Sequence, residues 1–408
     1  MGKVLHAFVV VVACVAFYYN ELLQLHLAPI VRSLLTPEDS PLSVPTPLGG
    51  NFDAAACGAK AAPHLTDVMP VVGFHVICIT KTPHDTLEGM AYKEGLSTVA
   101  PVAFETAVDM GSLRAALEEK LDIALPTTDL EKKYKQRWAF FSPEGDRLWQ
   151  LSSLHKTELV YVFEGGQFIW PGIRIGHKRT VPGLHGLGDV VLETLEMSPL
   201  VFAVEEFLRD DEIDVILDLS MEHLAPSGVS FQDGDEGKSA TEWRTSTTYF
   251  LPSHRHALVQ GIDQRVEDLV KVPKTHQEDV QVLRYEHTQK YDHHTDYFPV
   301  ANYQNSPDLI ESIHHGFKNR MITVFWYMSD VAAGGHTIFP RAGGLPQPDS
   351  MKDCTKGLKV APQKRKVIVF YSMLPNGEND PISLHGGCPV EDGVKYSGNK
   401  WVWNKPRY

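Results

Sequence analysis

The chain has 408 residues, 43% of them hydrophobic and 22% charged, which is enough to fill two cores and too apolar for a disordered chain. Its formal net charge of −13 argues against nucleic acid, a partner that favours basic faces able to release counterions from phosphate. Such acidity suits neutral or basic substrates.

The chain opens with MGKVLHAFVVVVACVAFYYNELL, in which Lys3 precedes sixteen mostly apolar residues, Val4 to Tyr19. Bulky side chains stand where a cleavage site needs small ones. Residues 1–35 therefore read as an uncleaved signal-anchor, a membrane attachment that leaves the body in the lumen of the endoplasmic reticulum or Golgi. Residues 36–50, TPEDSPLSVPTPLGG, are rich in Pro, Ser and Gly and read as a stalk. Residues 51–195 read as a small α/β region of unassigned role. It contains an apolar run at 68–80, a helical pattern at 112–125 and, over 158–181, a hairpin turning at Gly165 and Gly166.

Residues 196–408 have a different texture. After the strand-like SPLVFAVEEFL, the acidic RDDE starts a helix that puts Ile213, Ile216, Leu217, Ser220 and Leu224 on one face. A second helix aligns Val259, Ile262, Val266 and Leu269 before Pro273 stops it. The short runs VQVLRY, MITVFWYM and KVIVFYS follow, separated by turn-rich loops. That spacing predicts an α+β fold whose core is a sandwich or jelly roll with helices packed on one side. Cys57, Cys78, Cys354 and Cys388 lie past the anchor and allow three pairings. Cys354 and Cys388 share the C-terminal region and are paired here, which leaves Cys57 with Cys78; free buried thiols are the alternative.

The segment YDHHTDYF, residues 291–298, places two histidines before an aspartate. On a strand successive side chains alternate, so His294 and Asp296 share one face while His293 and Thr295 share the other. A His-x-Asp pair with one distant His is the ligand set of the facial triad that binds non-haem Fe(II). One such pair arises by chance in a chain with 19 histidines, so the pair alone identifies nothing. His385, before the turn GGCP, is a candidate third ligand, and Lys395 follows ten residues later. Asp296 and His385 are 89 residues apart and meet only if the sheet brings their strands together.

Four blocks in one order now carry a resemblance: RTSTTYFL from Arg244, VLRYEHTQKYDHHTDYF from Val282, RMITVFWYMSDVAAGGHTIFP from Arg320 and SLHGGCPVEDGVKYSGNKW from Ser383. The stretch from about residue 198 to 401 resembles the prolyl 4-hydroxylases, Fe(II)/2-oxoglutarate dioxygenases of the secretory pathway. The resemblance implies a double-stranded β-helix (jelly roll) in which His294, Asp296 and His385 bind iron. It implies that Lys395 pairs with the distal carboxylate of 2-oxoglutarate, with Tyr285 and Thr323 hydrogen-bonded to that co-substrate. Tyr291 would face the target proline, and Arg244, Ser246, Glu278, Arg320 and Trp401 would line the peptide groove. Dioxygen, ascorbate and a proline-rich or collagen-like peptide are implied with them. The alternatives are a related peptidyl hydroxylase acting on lysine or another residue, and a non-catalytic membrane-tethered binding module. The sequence departs from the family pattern at His336, Thr288, Trp403 and the run KRKVIVF, residues 364–370.

Overall fold

The computed structural model of the chain describes residues 52–407. The anchor and stalk readings fall on residues 1–50, outside that span. Among the described residues no helix is long and apolar enough to cross a membrane.

The first part is built on a six-stranded sheet: β1 (Phe74–Lys81), β2 (Thr86–Tyr92), β3 (Val102–Ala107), β4 (Ala139–Phe141), β5 (Arg147–Leu148) and β6 (Leu159–Phe163), in the order β3-β2-β1-β6-β4-β5. Alternation along β1 sends Ile77 and Ile79 toward helix Met110–Leu121, whose Leu113, Leu117 and Leu121 recur every four residues and are all buried. Asp109 starts that helix by accepting the Ser112 amide at 2.8 Å. The other face of β1, with Val76 and Cys78, packs against Tyr161 and Phe163. Cys78 is bonded to Cys57 of helix Ala54–Ala61.

The expected hairpin at Gly165 and Gly166 does not form. β6 pairs with β1 and β4, and no strand returns along it from 167 to 177. Instead Phe168, Ile169 and Trp170 are buried, and the Trp170 indole N–H donates to the Leu269 carbonyl at 2.7 Å. Burying three large apolar side chains and satisfying the indole outweighs closing a short ladder, because each such burial contributes roughly 1.5–3 kcal/mol.

The remaining strands are β7 (Lys178–Leu184), β8 (Gly188–Met197), β9 (Leu200–Val204), β10 (Ala225–Pro226), β11 (Thr247–Leu251), β12 (Val280–Tyr285), β13 (Tyr291–His294), β14 (Arg320–Tyr327), β15 (Ala333–Gly334), β16 (Thr337–Phe339), β17 (Leu358–Val360), β18 (Val367–Tyr371), β19 (His385–Gly387), β20 (Val390–Asp392) and β21 (Lys395–Trp403). Nine form an antiparallel sheet ordered β10-β11-β12-β21-β14-β18-β9-β8-β7, and four form a smaller sheet ordered β13-β19-β16-β17. The two-residue alternation assigns each face. Val280, Val282, Ile322, Val324 and Trp326 join the cluster that also holds Ile213, Ile216 and the buried stripe Val259, Ile262, Val266 and Leu269 of helix Ala257–Val270. Leu283, Tyr285, Phe325, Tyr327 and Phe370 face the other way and meet Phe339 of the small sheet. The two helices are locked together by Arg265, which donates to both Glu212 oxygens at 2.8 and 2.6 Å, with each side chain 2% exposed.

The division drawn in the sequence between residues 195 and 196 falls inside β8, and Trp170, Phe202, Val259 and Val324 belong to one apolar cluster. The described residues, 52–407, form one compact unit.

Candidate active site

Antiparallel pairing of β13 with β19 sets His294 opposite His385. Asp296 follows two residues after β13 and completes a group whose ligand atoms all lie within 4.8 Å of one another. His294 Nε2 is 3.7 Å from Asp296 Oδ1, and His385 Nε2 is 3.5 Å from Asp296 Oδ2. Both rings have their other nitrogen engaged: His294 Nδ1 on the Asp292 carbonyl at 2.8 Å, and His385 Nδ1 on the Ser383 carbonyl at 3.0 Å. Carbonyls only accept, so each Nδ1 donates and each Nε2 presents a lone pair to the centre, the tautomer a metal needs. Burial, with His385 close by, pushes the His294 pKa down to about 3 and keeps that ring neutral. Burial pushes Asp296 up, but His385, His294, Arg320 and the Thr323 hydroxyl together hold it below the usual carboxylate range. The result is a neutral His294 imidazole and a buried Asp296 carboxylate, with the His385 Nε2 turned toward them.

His293 is outside this group. Its ring nitrogens have no hydrogen-bond partner, its amide donates to the Met351 carbonyl at 2.8 Å, and its ring lies against Gly386. A Cβ on Gly386 would sit 2.6 Å from His293 Cδ2 and 3.0 Å from the Tyr291 carbonyl. Glycine therefore lets β13 approach β19 closely enough for the ligands to converge.

Register pairs Lys395 with Tyr285 across β21 and β12. The ammonium is 5.3 Å from the centre of the Tyr285 ring, 5.2 Å from Phe325 and 5.7 Å from Tyr327, and the residue is 2% exposed. Among the described residues no carboxylate lies within 4.0 Å of it. Burial alone pushes its pKa down to about 7. A buried cation boxed by aromatic rings without a carboxylate is suited to receive an anion. Thr323, assigned by resemblance to the co-substrate, donates to Asp296 Oδ2 at 2.5 Å.

The residues that the resemblance assigns to a peptide groove fall into two sets. Arg244 bridges to Tyr291, lies 4.5 Å over its ring, and donates to Ser246 Oγ at 3.1 Å and Gln281 Oε1 at 3.2 Å. Tyr291 in turn stacks on His294 at 3.7 Å, and burial pushes its phenol up to about 12. In the second set Arg320 grips Glu278 through two hydrogen bonds of 2.7 and 3.0 Å and covers the Trp401 ring at 3.6 Å. A cavity of about 400 Å³ lined by Phe231, Trp243, Tyr291, His294, Met351 and Leu384 opens beside the centre. Phe231, Trp243 and Met351 lie in irregular loops without periodicity, and only the fold shows that they meet. Cys354, three residues past Met351, is bonded to Cys388, three residues past His385.

The description 2OG-Fe(II) oxygenase superfamily matches residues 280–403. The chain is 36% identical over 219 residues to the "Probable prolyl 4-hydroxylase 4" of Arabidopsis thaliana, covering 52% of this chain and 70% of that one. It is 37% identical to the "Prolyl 4-hydroxylase 2" of the same plant, covering 52% and 69%. The chain belongs to the prolyl 4-hydroxylase family. A solved viral collagen prolyl hydroxylase from Paramecium Bursaria Chlorella virus-1 aligns at 23% identity over 50% of this chain and 95% of that chain, with a TM-score of 0.35.

Membership implies Fe(II), 2-oxoglutarate and O2, and the residues present fit the first two: a donor set of two imidazoles and one carboxylate, and a buried lysine with no carboxylate beside it among the described residues for a dicarboxylate. The departures from the prolyl 4-hydroxylase pattern also find places. Trp403 donates to Glu278 Oε1 at 2.7 Å and so joins the Glu278 and Arg320 pair. Thr288 has φ of +68°, a left-handed backbone that its branched side chain resists and glycine adopts freely. His336 is half-buried, and burial, with Lys359 and Lys395 near it, holds its pKa down. The segment KRKVIVF supplies the buried strand β18.

Proposed function

We propose that residues 196–408 hydroxylate C4 of a peptidyl proline in the secretory pathway. 2-Oxoglutarate and O2 are consumed, succinate and CO2 are released, and one oxygen atom passes to the succinate and one to the proline. The observation that supports this best is the convergence of two free Nε2 lone pairs and a buried carboxylate in a fold that also holds an unpaired buried lysine.

His294, Asp296 and His385 would hold Fe(II), which supplies the activation of O2 when bound. The Asp292 and Ser383 carbonyls fix the two rings so that neither needs to reorient. Thr323, through its bond to Asp296, orients the carboxylate. Lys395 would take the distal carboxylate of 2-oxoglutarate, with Tyr285, Phe325 and Tyr327 excluding water around it. Tyr291 and Arg244 would form the wall against which an extended peptide lies. Such a peptide arrives preordered if it is proline-rich, so it loses little entropy on binding. Ascorbate as a reductant belongs to the same proposal. A lumenal location is supported by the two disulfides among the described residues, and membrane attachment by the apolar run Val4 to Tyr19.

The test is mass spectrometry of poly-proline and collagen-like peptides after incubation with the protein, Fe(II), 2-oxoglutarate and O2. Gain of one oxygen atom on proline, with succinate formed in proportion, is expected. Modification of lysine instead, or 2-oxoglutarate consumption with no modified peptide, would overturn the assignment.

A further inference from the structure

Whole-chain acidity points to neutral or basic substrates, but the cavity beside His294 has a cation in its lining that forms no salt bridge among the described residues. Three of its lining residues are charged: Asp235, Asp292 and Arg341. Both carboxylates are already compensated. Asp235 accepts from Lys238 at 2.6 Å, and Asp292 is paired with Lys290 and lies 4.0 Å from Lys352. Among the described residues Arg341 has no carboxylate within 4.0 Å. Its Nη1 donates to the Pro381 carbonyl at 3.0 Å, while its buried Nε has no partner. The buried Asp380 lies beyond that distance and accepts from the Ile382 amide at 2.8 Å; burial raises its pKa and the nearby Arg341 charge partly opposes that rise. A guanidinium that lines a cavity and forms no salt bridge is suited to an anion brought by a ligand, because a charge-assisted hydrogen bond is among the stronger ones.

We propose that Arg341 forms a subsite for an acidic side chain of the substrate, so that the protein selects prolines with an Asp or Glu nearby in the peptide. This rests on the peptide hydroxylase reading above and adds the class of sequence that it prefers. The cavity volume of about 400 Å³ is suited to a short peptide segment, and Tyr291 and His294 line the same space, which puts the acidic residue within a few positions of the target. Of the guanidinium nitrogens, Nη2 makes no hydrogen bond among the described residues, and a carboxylate accepts from such a donor in a charge-assisted bond.

The test compares kcat/KM for a neutral proline-rich peptide carrying Gln, Glu or Lys in turn at each of the three positions on either side of the target proline. Glu is expected to exceed Gln by about tenfold or more at one or two positions, the size of a charge-assisted hydrogen bond, and Lys to fall below Gln. In Arg341→Gln the Glu-to-Gln ratio should collapse toward one, in Arg341→Lys part of it should remain, and in Arg341→Glu the preference should turn to Lys. The ratio is read within each variant, so a general loss of rate does not imitate the result. Equal rates for Glu and Gln peptides in the parent, or a ratio that survives in Arg341→Gln, would overturn the subsite. Failure to hydroxylate even the Gln peptides would instead remove the underlying assignment.

Discussion

Lys395→Met is expected to stabilise the protein while abolishing its affinity for 2-oxoglutarate. The lysine is 2% exposed, and burial pushes its pKa from 10.5 down to about 7. Below about pH 7 the native and unfolded chains both hold the proton, and the native state carries the whole desolvation penalty. Between about 7 and 10.5 the unfolded chain still binds the proton and the native chain has released it, so stability rises with pH across that window. At about 1.36 kcal/mol per pH unit the penalty has an upper bound of roughly 5 kcal/mol. Relaxation and water entry reduce what is realised to about 2–4 kcal/mol. Methionine matches the length of the stem and carries no charge. Urea unfolding of the metal-free, co-substrate-free proteins at pH 7 and 9 measures the difference. The variant should be more stable at pH 7 by about 2–4 kcal/mol, and its advantage should shrink by about 1–3 kcal/mol at pH 9. Added 2-oxoglutarate should stabilise the parent alone. A parent at least as stable as the variant at pH 7, or a gap indifferent to pH, would refute the claim that this ammonium is held ready at its own expense.

His294→Ala and His385→Ala should lower Mn(II) affinity by orders of magnitude, whereas His293→Ala should retain it, as followed by the loss of the free Mn(II) paramagnetic resonance signal. Thr288→Gly should raise unfolding stability by about 1 kcal/mol, because glycine adopts φ of +68° without the steric cost that threonine bears there; denaturant midpoints decide it. Gly386→Ala should cost about 1–3 kcal/mol and also weaken Mn(II) binding, since the new methyl group must push β13 away from β19; a variant with unchanged metal affinity would show that the strands tolerate separation.

What could be read from the sequence follows from periodicity. Helix Ala257–Val270 was legible because Val259, Ile262, Val266 and Leu269 mark one face, and all four are fully buried. The face shared by His294 and Asp296 was legible for the same reason, as alternation continues for two residues beyond β13. The partner of that pair was not, since nothing local connects residues 296 and 385; the resemblance supplied it, and the strand register that sets His294 against His385 is a property of the sheet. The hairpin over 158–181 went astray because Gly165 and Gly166 give a turn signal whether or not a strand follows. The sequence holds no local sign that Phe168 and Trp170 find a better home against helix Ala257–Val270.

Charge was the least legible quantity. The value of −13 is a sum over the whole chain, and a substrate responds only to groups that are near and uncompensated. Some compensation is local and could be anticipated: Lys238 lies three residues from Asp235, and Lys290 two from Asp292. The Arg341 guanidinium is different, because its lack of a salt bridge depends on where every described carboxylate lies. Lys395 is the same case in deeper burial, where the missing partner is the feature that makes the residue useful. An unpaired cation is invisible to composition and to spacing, and it becomes visible only when the fold has paired the charges around it. Arg341 lines the cavity that His294 shares, and the rings that box Lys395 belong to one apolar cluster with Phe339 and Phe370, which lie against His385. One is suited to the carboxylate of the co-substrate and the other to an acidic side chain of the peptide, so a net-negative chain would carry its two receptive positive charges where its two reactants meet.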